Sequence, residues 1–460
     1  MPLASPSVPG VYRLACPRSS SFPRVRTDVA GFVGVAGSRH LHETVRVDDW
    51  RSYEQLYLSD DDHRALPVPP GSKLADTVRS FFANGGSRCY VVNVAVDVQA
   101  SHKTLLQNDM LGVERDPMPV VDGQAVRTLG LESLLRQDEV SLVVLPDLFA
   151  ELVETEVRVA PDEPLYEASR FSRCAPTRMP AGSQPSVTTG RRLFTKAEIL
   201  ALQQALVGRC ARERWRAFAL LALPPDLSPD QVLAQRALLG REDCAAVYWP
   251  WLLVQPTPGA PVEERAPLGA VAGIFARRDL QLGPHAAPAN EVVTDTVGLA
   301  APVDDELAGR LYDAGVNVLR PAPGQGIKLW GARTLAWSDD AWQRPATAYV
   351  NVRRCLSAIE RSAESIGQRE VFEPNTPILW LRLTQALTSY LLTVFRAGAL
   401  AGDSADESFY VKCDDTVNPP ESLERGELYV HIGVAIAAPA EFILFRLGRR
   451  EGNVEIREGV

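Results

Sequence analysis

The chain has 460 residues, of which 46% are hydrophobic and 23% charged, values typical of a soluble globular protein with two or three compact units. Its net charge of −9 argues against general nucleic-acid binding, which needs a concentrated basic surface. No apolar run approaches the roughly 18 to 20 residues that a membrane span needs, so we expect no direct membrane insertion.

The first residues, 1 to about 28, are rich in Pro, Ser and Arg. They contain one short strand-like piece, formed by Val11, Tyr12, Arg13 and Leu14. This segment is too small to bury a core of its own, so it is either a frayed terminus or an arm that adds a strand to a neighbour. We see no basic region followed by an apolar core, so we expect no secretory signal.

Alternating strands and helices are predicted between residues 29 and 330. Continuous apolar strands are predicted at 89–94, 140–145, 217–221 and 245–249, and helices at 50–57, 74–83, 131–136, 196–212 and 229–239. Strands of this kind, separated by helices, indicate a mostly parallel sheet that is covered on both faces. The glycines at 31, 34 and 37 do not make a dinucleotide fingerprint, because no helix follows them.

Polar residues near the predicted strand ends are better explained by turns than by chemistry. Asp147 and Asp226 follow prolines, where aspartate caps backbone N–H groups. Asp279 and His285 could form an acid/base pair, but no nucleophile accompanies them. The seven cysteines form no C-x-x-C pair, which favours a reducing cytoplasm. We expect no catalytic residues, no metal and no cofactor, and an unrecognised α/β enzyme is the remaining alternative.

Residues 151–192 differ from the rest of this region, because they are polar, rich in proline and weakly periodic. A stretch of this length without predicted elements is a linker, a lid or an insertion.

The last quarter of the chain is predicted to be an α+β module. Apolar residues recur at helical spacing from Leu379 to Val394. Two strand-like runs follow at 428–437 and 440–446, and the break at Pro439 predicts that they form a hairpin. A short alternating segment, 454–457, predicts one more strand that is too short to stand alone.

Five phrases in this module resemble the C-terminal part of contractile tail sheath proteins. In chain order they are WGARTL (330–335), YVNVRR (349–354), VFEPN (371–375), FYVKCDDTVNPP (409–420) and GELYVHIGVAIAAPAEFILFR (426–446). Proteins of this family surround the tails of contractile phages, R-type pyocins and phage-like extracellular injection particles. The N-terminal PGVY (9–12), the LADTVRSFFANGGSRCYVVNV phrase (74–94) and 269–290 are also similar to the family.

The resemblance implies a domain organisation. It implies an N-terminal arm (1–28), an α/β body (29–330), a C-terminal α+β assembly module (331–446) and a C-terminal arm (447–460). Residues 151–192 become a surface insertion, because shorter relatives pass quickly from LVVLPDLF (142–149) to the next helix.

The resemblance also implies sites. Arms would exchange strands between subunits, and the candidate residues are Val11, Tyr12, Arg13, Leu14, Tyr429, Val430, Ile432, Phe442, Leu444, Val454 and Ile456. The module would grip a tail tube through complementary charge, and the candidates on one predicted helix are Arg353, Arg354, Glu360, Arg361 and Glu364. A solvated helix face explains those five residues equally well.

The implied function is structural. The chain would polymerise helically with itself around a tail tube protein, contract without a nucleotide, and meet baseplate and terminator or cap proteins. An injection system would add an AAA-type ATPase. The particle would assemble in the bacterial cytoplasm, within a phage tail or a tail-like particle that can be released. The alternative is a static baseplate or shell component.

Overall fold

The computed structural model describes residues 25–37, 40–59, 65–113, 120–121, 124–125, 128–155, 188–213, 216–257, 259–441, 445–450 and 453–458. These residues form an α/β body followed by an α+β C-terminal module, which confirms the predicted fold class. The predicted N-terminal strand at 11–14 lies outside the described residues.

The strands of the described part are, in chain order, β1 (Ala30–Val35), β2 (Thr44–Val47), β3 (Cys89–Ala95), β4 (Val120–Val121), β5 (Gln124–Ala125), β6 (Leu142–Val144), β7 (Glu151–Thr155), β8 (Thr188–Arg192), β9 (Phe218–Ala222), β10 (Ala245–Trp249), β11 (Leu252–Val254), β12 (Glu263–Arg265), β13 (Glu291–Val292), β14 (Gly298–Leu299), β15 (Val316–Ala322), β16 (Gly326–Trp330), β17 (Phe409–Lys412), β18 (His431–Val434), β19 (Phe445–Arg450) and β20 (Asn453–Glu458).

The α-helices are α1 (Trp50–Tyr57), α2 (Leu74–Ala83), α3 (Lys103–Leu111), α4 (Gly130–Leu135), α5 (Lys196–Arg212), α6 (Pro229–Leu238), α7 (Leu268–Gln281), α8 (Asp305–Asp313), α9 (Val350–Gln368), α10 (Pro377–Arg396), α11 (Ala405–Ser408) and α12 (Pro420–Glu424). The predicted helices at 50–57, 74–83 and 196–212 have the predicted bounds.

One nine-stranded sheet organises the body, in the order β13-β16-β15-β10-β9-β6-β1-β3-β2. The pairings from β15 through β10, β9, β6 and β1 to β3 are parallel, and antiparallel strands finish both edges. Phe32 in β1 packs on Phe81 of α2, while the next position back, Gly31, lies against Leu134 of α4. Because neighbouring strand residues point to opposite faces, helices cover both faces of the sheet, as predicted.

Helices α2 and α7 pack closely because α7 carries two glycines at the contact. A Cβ on Gly269 would lie 2.2 Å from the Thr77 carbonyl oxygen, and one on Gly273 would lie 2.4 Å from the Phe81 carbonyl oxygen. The two backbones could not approach this closely with larger residues.

The main hydrophobic core belongs to this body, and it continues past the sheet. Ala332, Leu335 and Val350 belong to the same buried cluster as the strands. The Leu335 N–H donates to the carbonyl of Ala245 on β10, and the Val350 N–H donates to that of Ala332. The chain therefore stays on the body until α9 begins.

The C-terminal module is built on α9 and α10, with two smaller buried clusters. The predicted stripe on α10 is confirmed, since Leu379, Leu383, Leu387 and Leu391 are buried. By length and mean hydropathy, 1.3 over 18 residues, α10 also meets the minimum for a membrane-crossing helix, which the sequence analysis did not expect. One such helix is weak evidence for a membrane span, because a mostly buried core helix of a soluble protein also meets this test; in this chain 28% of the window is buried.

The predicted hairpin between 428–437 and 440–446 is wrong. β18 pairs antiparallel with β17, about twenty residues earlier, and β19 pairs with β20. The second run thus pairs forward along the chain, although its first residues, 442–444, lie outside the described part. The predicted strand at 454–457 is confirmed within β20.

Residues 151–192 begin and end as a two-stranded stem. β7 and β8 pair antiparallel from Glu151↔Arg192 to Thr155↔Thr188. The stem is tied to the body, because the Glu151 N–H donates to the Gly71 carbonyl and the Leu193 N–H donates to the Ala150 carbonyl. The stretch between 155 and 188 lies outside the described residues.

Candidate assembly surface and its attachment to the body

The sheet of β17 and β18 is the part of the module that is suited to accept another strand. Its four paired positions run from Phe409↔Val434 to Lys412↔His431. Among the described residues no third strand joins it. An isolated pair of strands is marginal in water, and its outer edges carry backbone groups without strand partners. Of the residues predicted to exchange strands, Val430 directly precedes β18 and Ile432 lies within it; both are half-buried.

The Asn418 side chain occupies the backbone of Tyr429, just before the first residue of β18. Its side-chain oxygen accepts from the Tyr429 N–H at 2.6 Å, and its amide donates to the Tyr429 carbonyl at 2.9 Å. The side chain thus takes the place that a strand partner would have. Because the Tyr429 N–H is already bound, the unpaired edge of β18 starts at His431, and strand exchange at Tyr429 itself stays a prediction.

The C-terminal hairpin supplies the strands that could be donated. β19 and β20 pair with each other over six positions and form a separate two-stranded sheet. Val454 and Ile456, two of the predicted exchange residues, lie in β20. The predicted residues Phe442 and Leu444 lie outside the described part, as do Val11, Tyr12, Arg13 and Leu14.

Glu441 fastens the chain to the body just before this hairpin. Its carboxylate receives two hydrogen bonds from Arg333, Nη2 to Oε2 at 2.7 Å and Nε to Oε1 at 3.1 Å. The Tyr312 hydroxyl also donates to this carboxylate. The exposed fractions of the Arg333 and Glu441 side chains are 2% and 12%, so solvent screens this pair little.

Arg333 is itself held from several directions. Its guanidinium carbon lies 3.5 Å from the ring centroids of both Tyr312 and Trp337. The backbone N–H of Arg333 donates to the side-chain oxygen of Asn317 on β15, and its Nη1 donates to the Tyr312 carbonyl. Arg344 stacks on Trp337 at 3.8 Å. The sandwiched guanidinium is rigid, and it therefore fixes the position of Glu441.

Sequence reasoning missed the roles of Arg333 and Glu441. Both lie in phrases that carry the family resemblance, and an arginine in the largely apolar context of 329–337 was a usable signal. The pairing itself joins residues 108 positions apart. No local pattern specifies such a contact.

Two of the predicted tube-facing arginines, Arg354 and Arg361, lie in the contact between α9 and the body. Arg354 forms an ion pair with Asp279 of α7 at 2.6 Å, and their side chains are 5% and 2% exposed. Burial raises the pKa of Asp279, and Arg354 opposes this increase. Arg361 donates to the backbone carbonyls of Arg26 and Asp138. Both side chains are therefore covered by their own chain in this structure, and their tube-facing role stays a prediction.

Arg353 also turns inward. It binds Glu360 at 2.8 Å and lies 3.6 Å from Asp243. Glu360 and Glu364 have side chains 33% and 45% exposed, and Glu364 also lies 3.6 Å from Arg216. The tube-facing role stays a prediction for all five residues, of which these two glutamates have the more exposed side chains.

The polar residues at the strand ends have structural roles. Asp147 is fully buried and accepts from the N–H groups of Val35 and Lys73 and from the Ser72 hydroxyl. Burial raises its pKa to about 6, against the opposing effect of these donors. Asp226 is exposed and pairs with Arg192 and Lys196. Asp279 is committed to Arg354, so it is not free to form an acid/base pair with His285.

In the described ranges, no group of three or more His, Cys, Asp or Glu side chains could hold a metal ion. Of the cysteines there, Cys89, Cys210, Cys244 and Cys355 are buried free thiols, and burial raises their pKa values. They act as small apolar residues.

Two family models match the chain. The phage tail sheath protein central domain matches residues 193–335, and the phage tail sheath C-terminal domain matches residues 343–448. Together they take in just over half of the chain.

Curated tail sheath proteins are similar over part of their length. One from Burkholderia phage BcepMu is 27% identical over 50% of this chain and 49% of its own length. A putative prophage major tail sheath protein from Pseudomonas aeruginosa is 26% identical over 40% of this chain and 46% of its own. The chain thus spans about half the length of these relatives.

Solved structures share the fold over nearly the whole chain. The helical sheath of the anti-feeding prophage in its contracted state aligns with a TM-score of 0.64 at 23% identity, covering 97% of this chain and 100% of that one. The sheath complex of the PVC extracellular contractile injection system, contracted, gives 0.64 at 22% identity over 97% and 99%. A chain of the anti-feeding prophage baseplate gives 0.64 at 22% over 97% and 100%.

Proposed function

Because this chain belongs to the phage tail sheath family, we propose that it is a sheath subunit that polymerises helically around a tail tube and contracts to drive the tube through a target envelope. The observation that carries this proposal is the match of both sheath domain models, in order, across the body and the module. The strand pair β17–β18, with no third strand among the described residues, supports it independently.

Strand donation would hold the polymer together. The four-residue edge of β18 can accept about four backbone hydrogen bonds, which at about 1 kcal/mol each would give about 4 kcal/mol per joint. The donors would be the hairpin β19–β20 and, following the sequence prediction, residues 11–14. Such joints can persist while the bodies rearrange by rigid-body movement, since contraction between two packings needs no nucleotide.

The remaining partners follow from the same proposal. They are the tail tube protein, the baseplate and terminator proteins and, in an injection system, an AAA-type ATPase. Glu360 and Glu364 are the more exposed candidates for contact with the tube. The chain would assemble in the bacterial cytoplasm, and it would have a structural role without catalysis.

Electron microscopy of the purified protein tests the proposal. A sheath subunit should form tubes, whereas a static baseplate component should form closed rings or remain unassembled. The similarity to a chain of the anti-feeding prophage baseplate makes the second candidate worth testing. A protein that stays monomeric at high concentration in low and high salt would contradict the sheath proposal.

The donated strand is tested with matched variants in β20. Val454→Asp with Ile456→Asp places charges on the apolar side of the alternating sequence and should abolish tubes. Glu455→Ser with Arg457→Ser changes two residues on the other side and should preserve them. If both double variants form tubes as the wild type does, β20 is not exchanged between subunits.

A further inference from the structure

A small cavity lies where α9 meets the amino ends of the sheet strands. It is lined on one side by Thr27 and Ser141, which come just before β1 and β6, and on the other by Arg354 and Arg361 of α9. Arg216, two residues before β9, completes it. The enclosed space is about 20 Å³, enough for one or two water-sized groups, so a larger ion would be only partly enclosed by it.

The three arginines at this cavity have three carboxylates nearby, but only one of these carboxylates, Asp279, is buried with them. Arg354 is neutralised by Asp279 at 2.6 Å. Arg216 contacts Asp138 and Glu364, whose side chains are 88% and 45% exposed and therefore well screened by water. Two exposed carboxylates at the rim thus compensate little of the positive charge inside.

Arg361 is the arginine of this cavity whose positive charge is least compensated by a nearby carboxylate. It is 9% exposed, and its hydrogen bonds go to two backbone carbonyls. Among the described residues it has no carboxylate within 4.0 Å, the limit for an ion pair. Burial lowers the pKa of Arg361, and Arg216 and Arg354 add to this effect, while Asp138 and Glu364 oppose it without cancelling it. A buried cation in this state is costly unless a counter-ion reaches it.

We propose that this cavity is an oxyanion site, which binds one phosphate- or sulfate-like ion through Arg361 and Arg216. Guanidinium groups present paired N–H donors that match tetrahedral oxyanions. Arg361 belongs to α9 and Arg216 to the body, so a bound ion bridges the two parts of the chain. The ion would stiffen the attachment that the Arg354–Asp279 pair already makes. This inference is independent of polymerisation.

Thermal unfolding of the full-length, unassembled protein tests the proposal. Sodium phosphate from 0 to about 20 mM is compared with sodium chloride at matched ionic strength and pH 7. We expect phosphate to raise Tm by about 1 to 3 °C with saturation, and sulfate to do the same. A Tm that follows ionic strength alone, identical in chloride and phosphate, overturns the proposal.

Variants locate the site. Arg361→Met should abolish the phosphate-dependent increase in Tm. Arg216→Gln should reduce this increase; because Arg216 is partly exposed, this variant leaves the core intact and serves as the test if Arg361→Met does not fold. Arg382→Met, which removes a half-exposed arginine on α10, is the control and should keep the full increase. An increase that survives in both Arg216→Gln and Arg361→Met means an adventitious ion only.

Discussion

Replacing Glu441 by Gln tests whether the buried pair with Arg333 fastens the C-terminal end of the module to the body. The substitution keeps the size of the side chain and removes its charge, so Arg333 stays buried between Tyr312 and Trp337. The remaining carboxylate near it is that of Asp313, which lies 3.7 Å away, is 66% exposed and compensates the buried charge only weakly. Breaking one side of a buried pair costs about 3 to 5 kcal/mol. We therefore expect a loss of this size in the free energy of unfolding.

Chemical denaturation, followed by tryptophan fluorescence and circular dichroism, measures this loss. Trp337 packs on Arg333, so the fluorescence signal includes a reporter within the site. Glu427→Gln is the matched control, because Glu427 forms a similar pair with Arg425 on an exposed surface. That variant should unfold like the wild type.

A double-mutant cycle with Arg333→Met separates the pair from its surroundings. If the two residues act together, the double variant should be less destabilised than the sum of the single variants, with a coupling of about 1 to 3 kcal/mol. Additive effects, or the same denaturation midpoint for Glu441→Gln and Glu427→Gln, would refute the reasoning.

Further predictions concern the body. The pKa of Asp147 is raised to about 6, so the folded state binds its proton more tightly than the unfolded state does, and this contribution to stability increases as the pH falls from about 7 to 4. Between pH 7 and pH 4, the free energy of unfolding of the wild type should increase by about 2 kcal/mol relative to that of Asp147→Asn, as measured by denaturation at each pH. A difference between the two proteins that stays constant over this range would contradict the prediction. Gly273→Ala should destabilise the chain by about 1 to 3 kcal/mol, because the new Cβ would meet the Phe81 carbonyl at 2.4 Å. Gly309→Ala, on α8 with open space around it, should instead stabilise it by up to about 1 kcal/mol, and equal midpoints for the two variants would show that the α2–α7 contact tolerates a methyl group.

The sequence predicted those elements whose ends are specified locally. α5 begins at a capping box between Thr195 and Glu198, so its start is readable from four residues. α2 is followed by Asn84 and Gly85, and Gly85 has a φ of +101° that favours glycine. The apolar stripe on α10 was readable because its spacing reports burial directly.

The sequence could not specify partners that lie far apart along the chain. The sequence of β18 predicts a strand, but nothing within it specifies whether its partner is β17 or the run that follows at 440–446. Arg354 and Arg361 looked like surface charges, because arginine is usually exposed. Their burial depends on Asp279, 75 residues away, and on the carbonyl of Asp138, 223 residues away.

The stem formed by β7 and β8 makes one position in the body suitable for carrying foreign peptides. Its base is closed by backbone hydrogen bonds at Glu151 and Leu193 and by an ion pair between Lys73 and Glu151. A replacement of residues 156–187 would leave the hydrogen bonds that anchor this stem at Glu151 and Leu193 in place. An epitope or affinity tag grafted there would be repeated once per copy of the chain, so in the proposed helical polymer its copies would follow the spacing of the subunits.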